Sequence, residues 1–187
     1  IIYSSTISIY GESLKQDLFL EESMKNPKSP YAVTKLLSEK YLLKHFIDKL
    51  WILRFGPVYS SQFLLNIKRR TKISKFFYRI GDGNVKLSLC NIRNIEIAIE
   101  QIIKNLLPAG IYNVCDSIDY SYNDLLKIQN PKWVLPIPSI LIKILYSFGK
   151  TFGIIFLKEN SIKLLKNNIY SSKKIRKYVN LPYTLEI

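Results

Sequence analysis

Two short apolar runs flank a long amphipathic run in the first third of the chain. Residues 1–5 and 50–55 are short, apolar and followed by small polar residues or by Gly56-Pro57, which is typical of buried strands. Residues 31–49 place a broad apolar face on one helix, formed by Ala32, Leu36, Leu37, Tyr41, Leu42, Leu43 and Phe46. The order strand, helix, strand predicts a parallel crossover unit.

Weaker patterns continue along the rest of the chain. Residues 110–114 predict a third buried strand, which completes an α/β core with the first two. The other predicted elements are a basic helix over residues 63–77, a turn at 81–84, a strand over 85–92, a helix over 94–105 with Asn94 as its N-cap, and a helix over 123–128 capped by Ser121. Buried parallel strands seldom open a domain, so we expect further chain before residue 1.

The chain is basic but lacks a nucleic-acid-binding pattern. Its 187 residues include 28 Lys+Arg and 14 Asp+Glu, a net charge of +14. The densest basic runs, residues 68–70 and 173–177, carry none of the interleaved aromatic side chains of RNA- and single-strand-binding modules. We therefore expect no nucleic-acid partner. A hydrophobic share of 48% fits a globular core and excludes wholesale disorder.

Few residues are available for disulfides or metal binding. Two Cys and one His exclude a disulfide scaffold and a structural zinc site, and we expect no metal. Cys90 and Cys115 lie in or just after predicted strands. We expect both to be reduced and buried, as small apolar residues of a cytoplasmic protein.

The longest apolar stretch, residues 137–157, is interrupted by Lys143 and Lys150 and contains Pro138, Gly149 and Gly153. A spanning helix needs about 20 mostly uncharged residues, so we expect no transmembrane segment. We interpret the stretch as amphipathic or buried. An interfacial membrane helix is the alternative, because basic amphipathic helices bind membrane surfaces.

Tyr31 and Lys35 carry the first candidate chemistry. They lie four residues apart at the start of a predicted helix and therefore share one face. A tyrosine phenol ordinarily has a pKa near 10, and an ammonium one turn away lowers it. The pair therefore predicts a tyrosine that exchanges a proton with a substrate hydroxyl or carbonyl oxygen.

An ordered set of motifs surrounds this pair. The set comprises Ser4-Ser5-Thr6, Ile9-Tyr10-Gly11-Glu12, Ser29-Pro30-Tyr31-Ala32-Val33-Thr34-Lys35, Trp51-Ile52-Leu53-Arg54-Phe55-Gly56-Pro57-Val58-Tyr59, Gly81-Asp82-Gly83, Gly110-Ile111-Tyr112-Asn113-Val114, Ser171-Ser172-Lys173-Lys174-Ile175-Arg176, Pro182 and Thr184-Leu185-Glu186. Together these motifs resemble the extended short-chain dehydrogenase/reductase family, in its NAD-dependent epimerase/dehydratase branch. The resemblance covers nearly the whole chain.

The resemblance implies an α/β fold with a partial Rossmann-like parallel sheet and a smaller α+β substrate lobe. It assigns residues 1–59 to the C-terminal part of the dinucleotide-binding Rossmann domain. Residues 60–187 form mainly the substrate lobe, with residues 93–114 returning to the Rossmann sheet. The family's cofactor fingerprint, Gly-x-x-Gly-x-x-Gly, occurs nowhere in the sequence. We therefore expect the C-terminal portion of such an enzyme, and expect this portion alone to bind the cofactor poorly.

The resemblance also implies a catalytic triad. Thr6 matches the hydroxyl residue that positions the reacting oxygen, Tyr31 the acid/base, and Lys35 the lysine that lowers the tyrosine pKa and binds the nicotinamide ribose. The implied cofactor is NAD or NADP, and the positions that match its contacts are Ser4, Ser5, Tyr31, Lys35, Gly56, Pro57 and Val58. The alternative for Thr6 is a hydroxyl that caps a helix or turn.

Three departures from the family pattern bear on the reaction. Ile7 and Ser8 stand where the dehydratases carry Asp-Glu, which disfavours loss of water. The substrate-contacting Asn that many members carry falls near Gly56-Pro57 and is absent, as it is in an epimerase branch linked to surface polysaccharide. Leu87 stands where a basic residue often binds the diphosphate, and the basic residues that we consider instead are Lys86, Lys68, Arg69 and Arg79.

The resemblance thus implies an NAD-dependent sugar-nucleotide epimerase, acting through transient oxidation of a sugar hydroxyl, in surface polysaccharide biosynthesis. Two alternatives remain: a keto-sugar-nucleotide reductase or dehydrogenase of the same family, and a non-catalytic truncated chain or pseudoenzyme. The partners that we expect are a nucleotide sugar and a second copy of the chain in a homodimer, in a cytoplasmic protein.

Overall fold

The computed structural model describes residues 1–185. Its α-helices are α1 (Pro30–His45), α2 (Leu65–Thr71), α3 (Ile92–Ile103), α4 (Tyr122–Gln129), α5 (Ser139–Thr151) and α6 (Ile155–Leu165). Its strands are β1 (Ile2–Thr6), β2 (Leu18–Phe19), β3 (Trp51–Phe55), β4 (Val58–Tyr59), β5 (Lys72–Ile73), β6 (Phe76–Ile80), β7 (Lys86–Leu87), β8 (Cys90–Asn91), β9 (Gly110–Val114), β10 (Tyr120–Ser121), β11 (Val134–Ile137) and β12 (Ile169–Tyr170). Short 3₁₀ helices cover Ile7–Tyr10, Ile47–Lys49 and Ile175–Lys177.

The three predicted buried strands form one parallel sheet in the order β1-β3-β9. Thr6 is opposite Phe55, and Phe55 is opposite Val114, so the carboxyl ends of all three strands lie at one edge. The sheet and the helix between β1 and β3 confirm the α/β fold class and the predicted crossover unit.

Helix α1 begins at Pro30, one residue before the predicted start, and ends at His45, short of the predicted residue 49. The Ser29 hydroxyl accepts a hydrogen bond from the Ala32 amide, and Pro30 occupies the first turn, where a missing amide proton costs nothing. Lys44 lies in the last turn, where its positive charge interacts favourably with the helix dipole. The helix crosses from β1 to β3 and fixes Tyr31 near the strand ends.

A buried ion pair ties α1 to the sheet. Nη2 of Arg54 donates to Oε2 of Glu39 at 2.7 Å and Nε donates to Oε1 at 3.0 Å, with both side chains 1% exposed. The Ser5 hydroxyl donates to the same carboxylate, and Arg54 also donates to the Tyr10 hydroxyl at 2.8 Å. Burial opposes the charge of Arg54, but the bonds to Glu39 outweigh it and raise the pKa of the guanidinium. The charged groups of this pair satisfy one another inside the core.

Beyond the sheet, two- and three-stranded ribbons support the second half of the chain. They pair β4 with β8, β7 with β10, β2 with β12, and β6 with both β5 and β11. Apolar residues of these strands, of α2, of α4 and of the connecting segments form a second core cluster, made of Tyr59, Ile67, Leu87, Leu89, Tyr120, Tyr122, Leu125 and Leu185. The division into two domains remains a prediction.

Asp116 anchors the end of the chain. Its carboxylate is 4% exposed and accepts hydrogen bonds from the Tyr59 and Tyr120 hydroxyls, both at 2.8 Å. The Tyr120 hydroxyl in turn accepts from the amide of Leu185 at 2.8 Å. Burial raises the pKa of Asp116, and its hydrogen bonds partly offset this effect. Glu186 of the predicted closing motif lies outside the described residues.

Three further local predictions were wrong. Residues 72–73 and 76–77 belong to β5 and β6 and not to the predicted helix over 63–77, because β6 pairs with both β5 and β11. The predicted strand over 85–92 is split into β7 and β8. Asn91, not Asn94, caps α3, because its side chain accepts from the Arg93 amide while Asn94 is fully buried and bonded to Asp116.

Other local predictions hold. Ser121 caps α4, and Asp124 bonds back to the Ser121 amide in a capping box. Cys90 and Cys115 are free and buried, and burial raises the pKa of both thiols. No helix among residues 1–185 has the length and hydrophobicity needed to span a membrane.

Replacing Glu39 with Gln is expected to lower the free energy of unfolding by about 3–5 kcal/mol, because Arg54 then keeps a buried charge without its counter-ion. Urea denaturation measures the change. Glu100→Gln is the matched control, since Glu100 pairs with Lys104 at the surface with both side chains more than half exposed. This control is expected to cost below about 0.5 kcal/mol. Equal losses in the two variants would contradict the role of the buried pair.

Candidate active site

A cleft opens at the carboxyl ends of β1 and β3. Its cavity volume is about 630 Å³. One wall consists of residues 4–8 at the end of β1, Tyr31 of α1 and residues 55–58 after β3. The opposite wall comes from the second half of the chain and from α2, and comprises Asn66, Arg69, Arg70, Leu87, Ser88, Tyr122, Lys163, Asn168 and Tyr170. Open α/β sheets bind ligands at this edge.

Thr6 lies at the end of β1 and lines the cleft. Its hydroxyl accepts from the Ser8 amide at 3.2 Å and donates to the Ser8 hydroxyl at 3.2 Å, so it caps the 3₁₀ helix Ile7–Tyr10. The side chain is 8% exposed. The capping role considered from sequence is therefore present, and it holds the hydroxyl at the cleft wall.

Tyr31 and Lys35 reach the same strand end from α1. Tyr31 lines the cleft and is 57% exposed. Nζ of Lys35 donates to the Ser4 carbonyl at 2.7 Å and lies 5.9 Å from the centre of the Tyr31 ring. The four-residue spacing thus brings the ammonium close to the ring, as the sequence predicted, while Lys35 itself lies behind the cleft lining.

The other predicted cofactor positions also lie along this cleft. Ser4 and Ser5 line it at the end of β1, and Gly56, Pro57 and Val58 line it after β3. The Ser5 hydroxyl bonds to Glu39, so its side chain also belongs to the buried ion pair.

Gly56 is required by close packing. A Cβ there would lie 2.9 Å from the Cys115 sulfur and 3.4 Å from the Leu89 carbonyl carbon, in a region without free space. The loop after β3 therefore lies directly on the buried cysteines. This contact sets the depth of the cleft floor.

Of the four basic residues predicted to contact substrate, the structure brings one to the cleft. Arg69, exposed on α2, lines it. Lys68 is exposed elsewhere on α2, and Arg79 lines a separate depression beside Asn123. Lys86 is exposed and points away, because Leu87 takes the inward position of β7 and successive strand residues face opposite sides.

Sequence analysis missed the groups that close the far wall. Arg70 lines the cleft beside Arg69, and its guanidinium donates to the Asn66 carbonyl at 2.6 Å. Glu12 forms an ion pair across the cleft with Lys163, at 3.3 Å. The only sequence signal for Glu12 was its place after Tyr10-Gly11, and α6 carried none for Lys163.

The carboxyl group of Glu12 is largely buried. Burial raises the pKa of its carboxyl, and the Lys163 ammonium only partly offsets this. Its Oε2 atom has no hydrogen-bond partner among the described residues. Gly11, the residue before Glu12, has a φ of +69°, which favours glycine. A Cβ at Gly11 would lie 2.2 Å from the Asn26 carbonyl oxygen, so the backbone that leads to Glu12 requires glycine here.

The fold and the cleft define a class: a Rossmann-like α/β protein with a Thr, Tyr and Lys set at its strand ends. The model of the NAD dependent epimerase/dehydratase family matches residues 1–115. The chain therefore belongs to that family.

The most informative relatives share this fold at low identity. GDP-6-deoxy-D-mannose reductase of Pseudomonas aeruginosa is 22% identical over 143 residues, which cover 68% of this chain and 46% of that protein. UDP-glucuronic acid 4-epimerase of Bacillus cereus, solved with NAD, has a TM-score of 0.63 at 19% identity, over 99% of this chain and 56% of that one. ADP-L-glycero-D-manno-heptose-6-epimerase of Helicobacter pylori has a TM-score of 0.64 at 18% identity, over 100% and 54%. The chain thus spans about half the length of these relatives.

The residues present fit one end of NAD. The nicotinamide-ribose end requires a cleft with polar and apolar walls and a cationic hydrogen-bond donor. The Lys35 ammonium has three N–H donors and uses one of them on the Ser4 carbonyl, its one acceptor among the described residues, so two remain available. The pyrophosphate end requires a glycine-rich turn before a helix, and the sequence has no Gly-x-x-Gly-x-x-Gly. The chain therefore fits the reactive end of the cofactor and supplies no fingerprint loop for its phosphates.

Gly56→Ala is expected to lower the free energy of unfolding by about 1–3 kcal/mol, because the new methyl group overlaps the Cys115 sulfur. In a Cys115→Ala background the same substitution is expected to cost less, since the sulfur is gone. Urea denaturation of the four proteins in this cycle measures the coupling. Additive losses would show that the loop does not lie on Cys115.

Glu12→Gln is expected to change how stability depends on pH. Because the folded state raises the pKa of Glu12, its contribution to stability is greatest below the ordinary value of 4.5 and declines as pH rises through the raised value. The neutral amide of the variant does not ionise, so its stability does not decline in this way. The free energy of unfolding of the variant, relative to that of the parent, should therefore be higher at pH 7 than at pH 4. Unfolding at both pH values tests this, with Glu100→Gln as the control. A difference that is constant with pH would contradict it.

Proposed function

We propose that this chain carries the catalytic portion of an NAD-dependent sugar-nucleotide epimerase. One observation supports this most strongly: Tyr31, Thr6 and the loop of residues 56–58 line a single cleft, with the Lys35 ammonium bonded to the strand end beside them. Family membership supports the same reaction class, in which the NAD-dependent members act on a substrate at the sheet edge.

In this proposal, residues of the chain itself transfer the proton and position the substrate. In the proposal, the Tyr31 phenolate takes the proton from a sugar hydroxyl and later returns it to the carbonyl oxygen of the keto-sugar. Thr6 holds that oxygen by a hydrogen bond, and Lys35 stabilises the phenolate from the next helical turn. Bound NAD supplies the hydride acceptor and donor. Epimerisation requires the sugar to present its other face before reduction, so the cleft must allow the sugar to turn.

The residues after Thr6 argue against dehydration. Ile7 is 7% exposed and Ser8 lines the cleft, so this position offers no Asp-Glu pair for eliminating water. Glu12 is the carboxylate that the cleft does contain, and it is paired with Lys163 on the far wall. We therefore favour a reaction without net loss of water.

A nucleotide sugar is the substrate class that we propose. Arg69 and Arg70 line the wall opposite Tyr31, where they provide positive charge for a diphosphate group. The Bacillus cereus structure with UDP-glucuronic acid shows that a protein of similar fold holds such a molecule. A role in surface polysaccharide biosynthesis, a cytoplasmic location and a homodimer belong to the same proposal.

A keto-sugar-nucleotide reductase is the second candidate. The Pseudomonas aeruginosa relative is a GDP-6-deoxy-D-mannose reductase, which favours this alternative. The same triad serves both reactions, because each moves one proton and one hydride at a carbinol carbon. The two reactions differ in their net redox change, which is zero for the epimerase and one hydride per turnover for the reductase.

Tyr31→Phe is expected to lower the rate by about a hundred- to ten-thousand-fold, because it removes the proton-transfer group and keeps the ring. The assay uses protein that also carries the Gly-x-x-Gly-x-x-Gly segment, and follows interconversion of two epimeric nucleotide sugars with catalytic NAD. Tyr41→Phe is the matched control: Tyr41 is on the same helix and 62% exposed, outside the cleft lining.

The control should retain the parent rate. Steady net formation or consumption of NADH by the parent would favour the reductase over the epimerase. A full rate in Tyr31→Phe would contradict the role of Tyr31 in both enzymatic functions, whereas no turnover by the parent would favour the non-catalytic alternative.

A further inference from the structure

Helix α5 turns an apolar face to solvent. Ile142 and Gly149 are the buried residues of this helix. On the opposite side, Ile140 is 57% exposed, Ile144 57% and Phe148 49%. These three residues follow one another at intervals of four, so they form a continuous stripe. The solvent side of a helix in a globular protein is normally polar, and here it is not.

Exposed apolar side chains also occur in the segments on either side of α5. In the connection from α5 to α6 and the first turn of α6, Phe152 is 65% exposed, Ile155 58% and Phe156 79%. Before α5, Trp133 is 87% exposed and Leu135 58%. We call residues 133–156 the apolar face. Contiguous apolar surface of this kind marks a site of interaction, whereas single exposed apolar residues do not.

The charged residues within the apolar face are both lysines, Lys143 and Lys150. Residues 131–158 contain four Lys and no Asp or Glu. Three of them, Lys132, Lys143 and Lys150, are exposed. Lys143 and Lys150 are seven residues apart on α5 and therefore project from the same flank of the stripe.

This charge pattern argues for a negatively charged partner. A second copy of the chain would bring the same patch against itself in a two-fold interface, and its lysines would face lysines. An anionic lipid surface complements both features at once: its headgroups attract the lysines, and its outer acyl region accepts the apolar side chains. The exposed Trp133 is a residue type that accumulates at membrane interfaces.

The length of α5 sets the mode of binding. Thirteen residues of helix extend about 20 Å, which is shorter than the roughly 30 Å hydrocarbon core. The helix therefore lies on a membrane and does not cross it. We propose that the apolar face docks this protein peripherally on membranes that contain anionic lipid. The proposal is independent of the catalytic function, because none of the residues of this face lines the cleft.

Co-sedimentation of the full-length protein with lipid vesicles tests this proposal. One set of vesicles is phosphatidylcholine alone, and the other is phosphatidylcholine mixed with phosphatidylglycerol. We expect binding to the mixed vesicles that weakens as salt is raised, and binding to the neutral vesicles that is at least about tenfold weaker. The emission of Trp133 should shift to the blue on binding, and Trp133→Phe should remove that shift.

Two pairs of variants separate the face from general surface effects. Ile144→Glu should reduce binding at least about tenfold, because it places a carboxylate in the docked stripe. Ile103→Glu is the matched control, since Ile103 is 72% exposed on α3, away from the face. The double variant Lys143→Gln/Lys150→Gln should weaken binding to anionic vesicles, whereas Lys15→Gln/Lys28→Gln removes the same charge elsewhere and should not.

Three results would overturn the proposal. The first is no binding to either vesicle type. The second is equal loss of binding in Ile144→Glu and Ile103→Glu, which would indicate nonspecific adsorption of a basic protein. The third is a dimer in light scattering that Ile144→Glu dissociates while vesicles remain unbound, which would assign the face to a second copy. Circular dichroism and activity of each variant confirm that the fold is intact.

Discussion

The buried pairing of Arg54 with Glu39 is the interaction on which the rest of the site depends. An unpaired charge in the core would be costly, so the guanidinium and carboxylate hold β3 and α1 at one spacing. Ser5 of β1 joins them through its hydroxyl. Because Thr6 follows Ser5 and Lys35 lies one turn before Glu39, the same contacts fix both sides of the proposed catalytic set.

The cleft then follows from the direction of the strands. Because β1 and β3 are parallel, their carboxyl ends lie side by side at one edge of the sheet. The chain after β3 can pass close to the Cys115 sulfur because residue 56 is glycine. The second half of the chain supplies the opposite wall, and Asp116 anchors that half through paired tyrosine hydroxyls. The two walls of the cleft thus have separate structural supports.

Charge has two different uses in this molecule. In the core, Glu39 neutralises Arg54 at close range, and in the cleft the partly exposed Lys163 pairs with Glu12. Outside, the net charge of +14 is left largely unpaired, and around α5 it surrounds apolar side chains. Helix geometry concentrates part of this charge locally, because it brings Lys143 and Lys150 to one flank of α5.

The sequence by itself determined the elements whose signals are local. Apolar runs predicted the three sheet strands, the apolar face of residues 31–49 predicted α1, and the spacing of Tyr31 and Lys35 predicted a shared helix face. The tertiary structure alone decided which distant groups meet: Arg69 reaches the cleft while Arg79 and Lys86 do not, and Glu12 meets Lys163. It also corrected residues 76–77 from helix to strand. Local propensity acts over a few residues, whereas these outcomes depend on pairing between segments far apart in the chain, which no single stretch of sequence encodes.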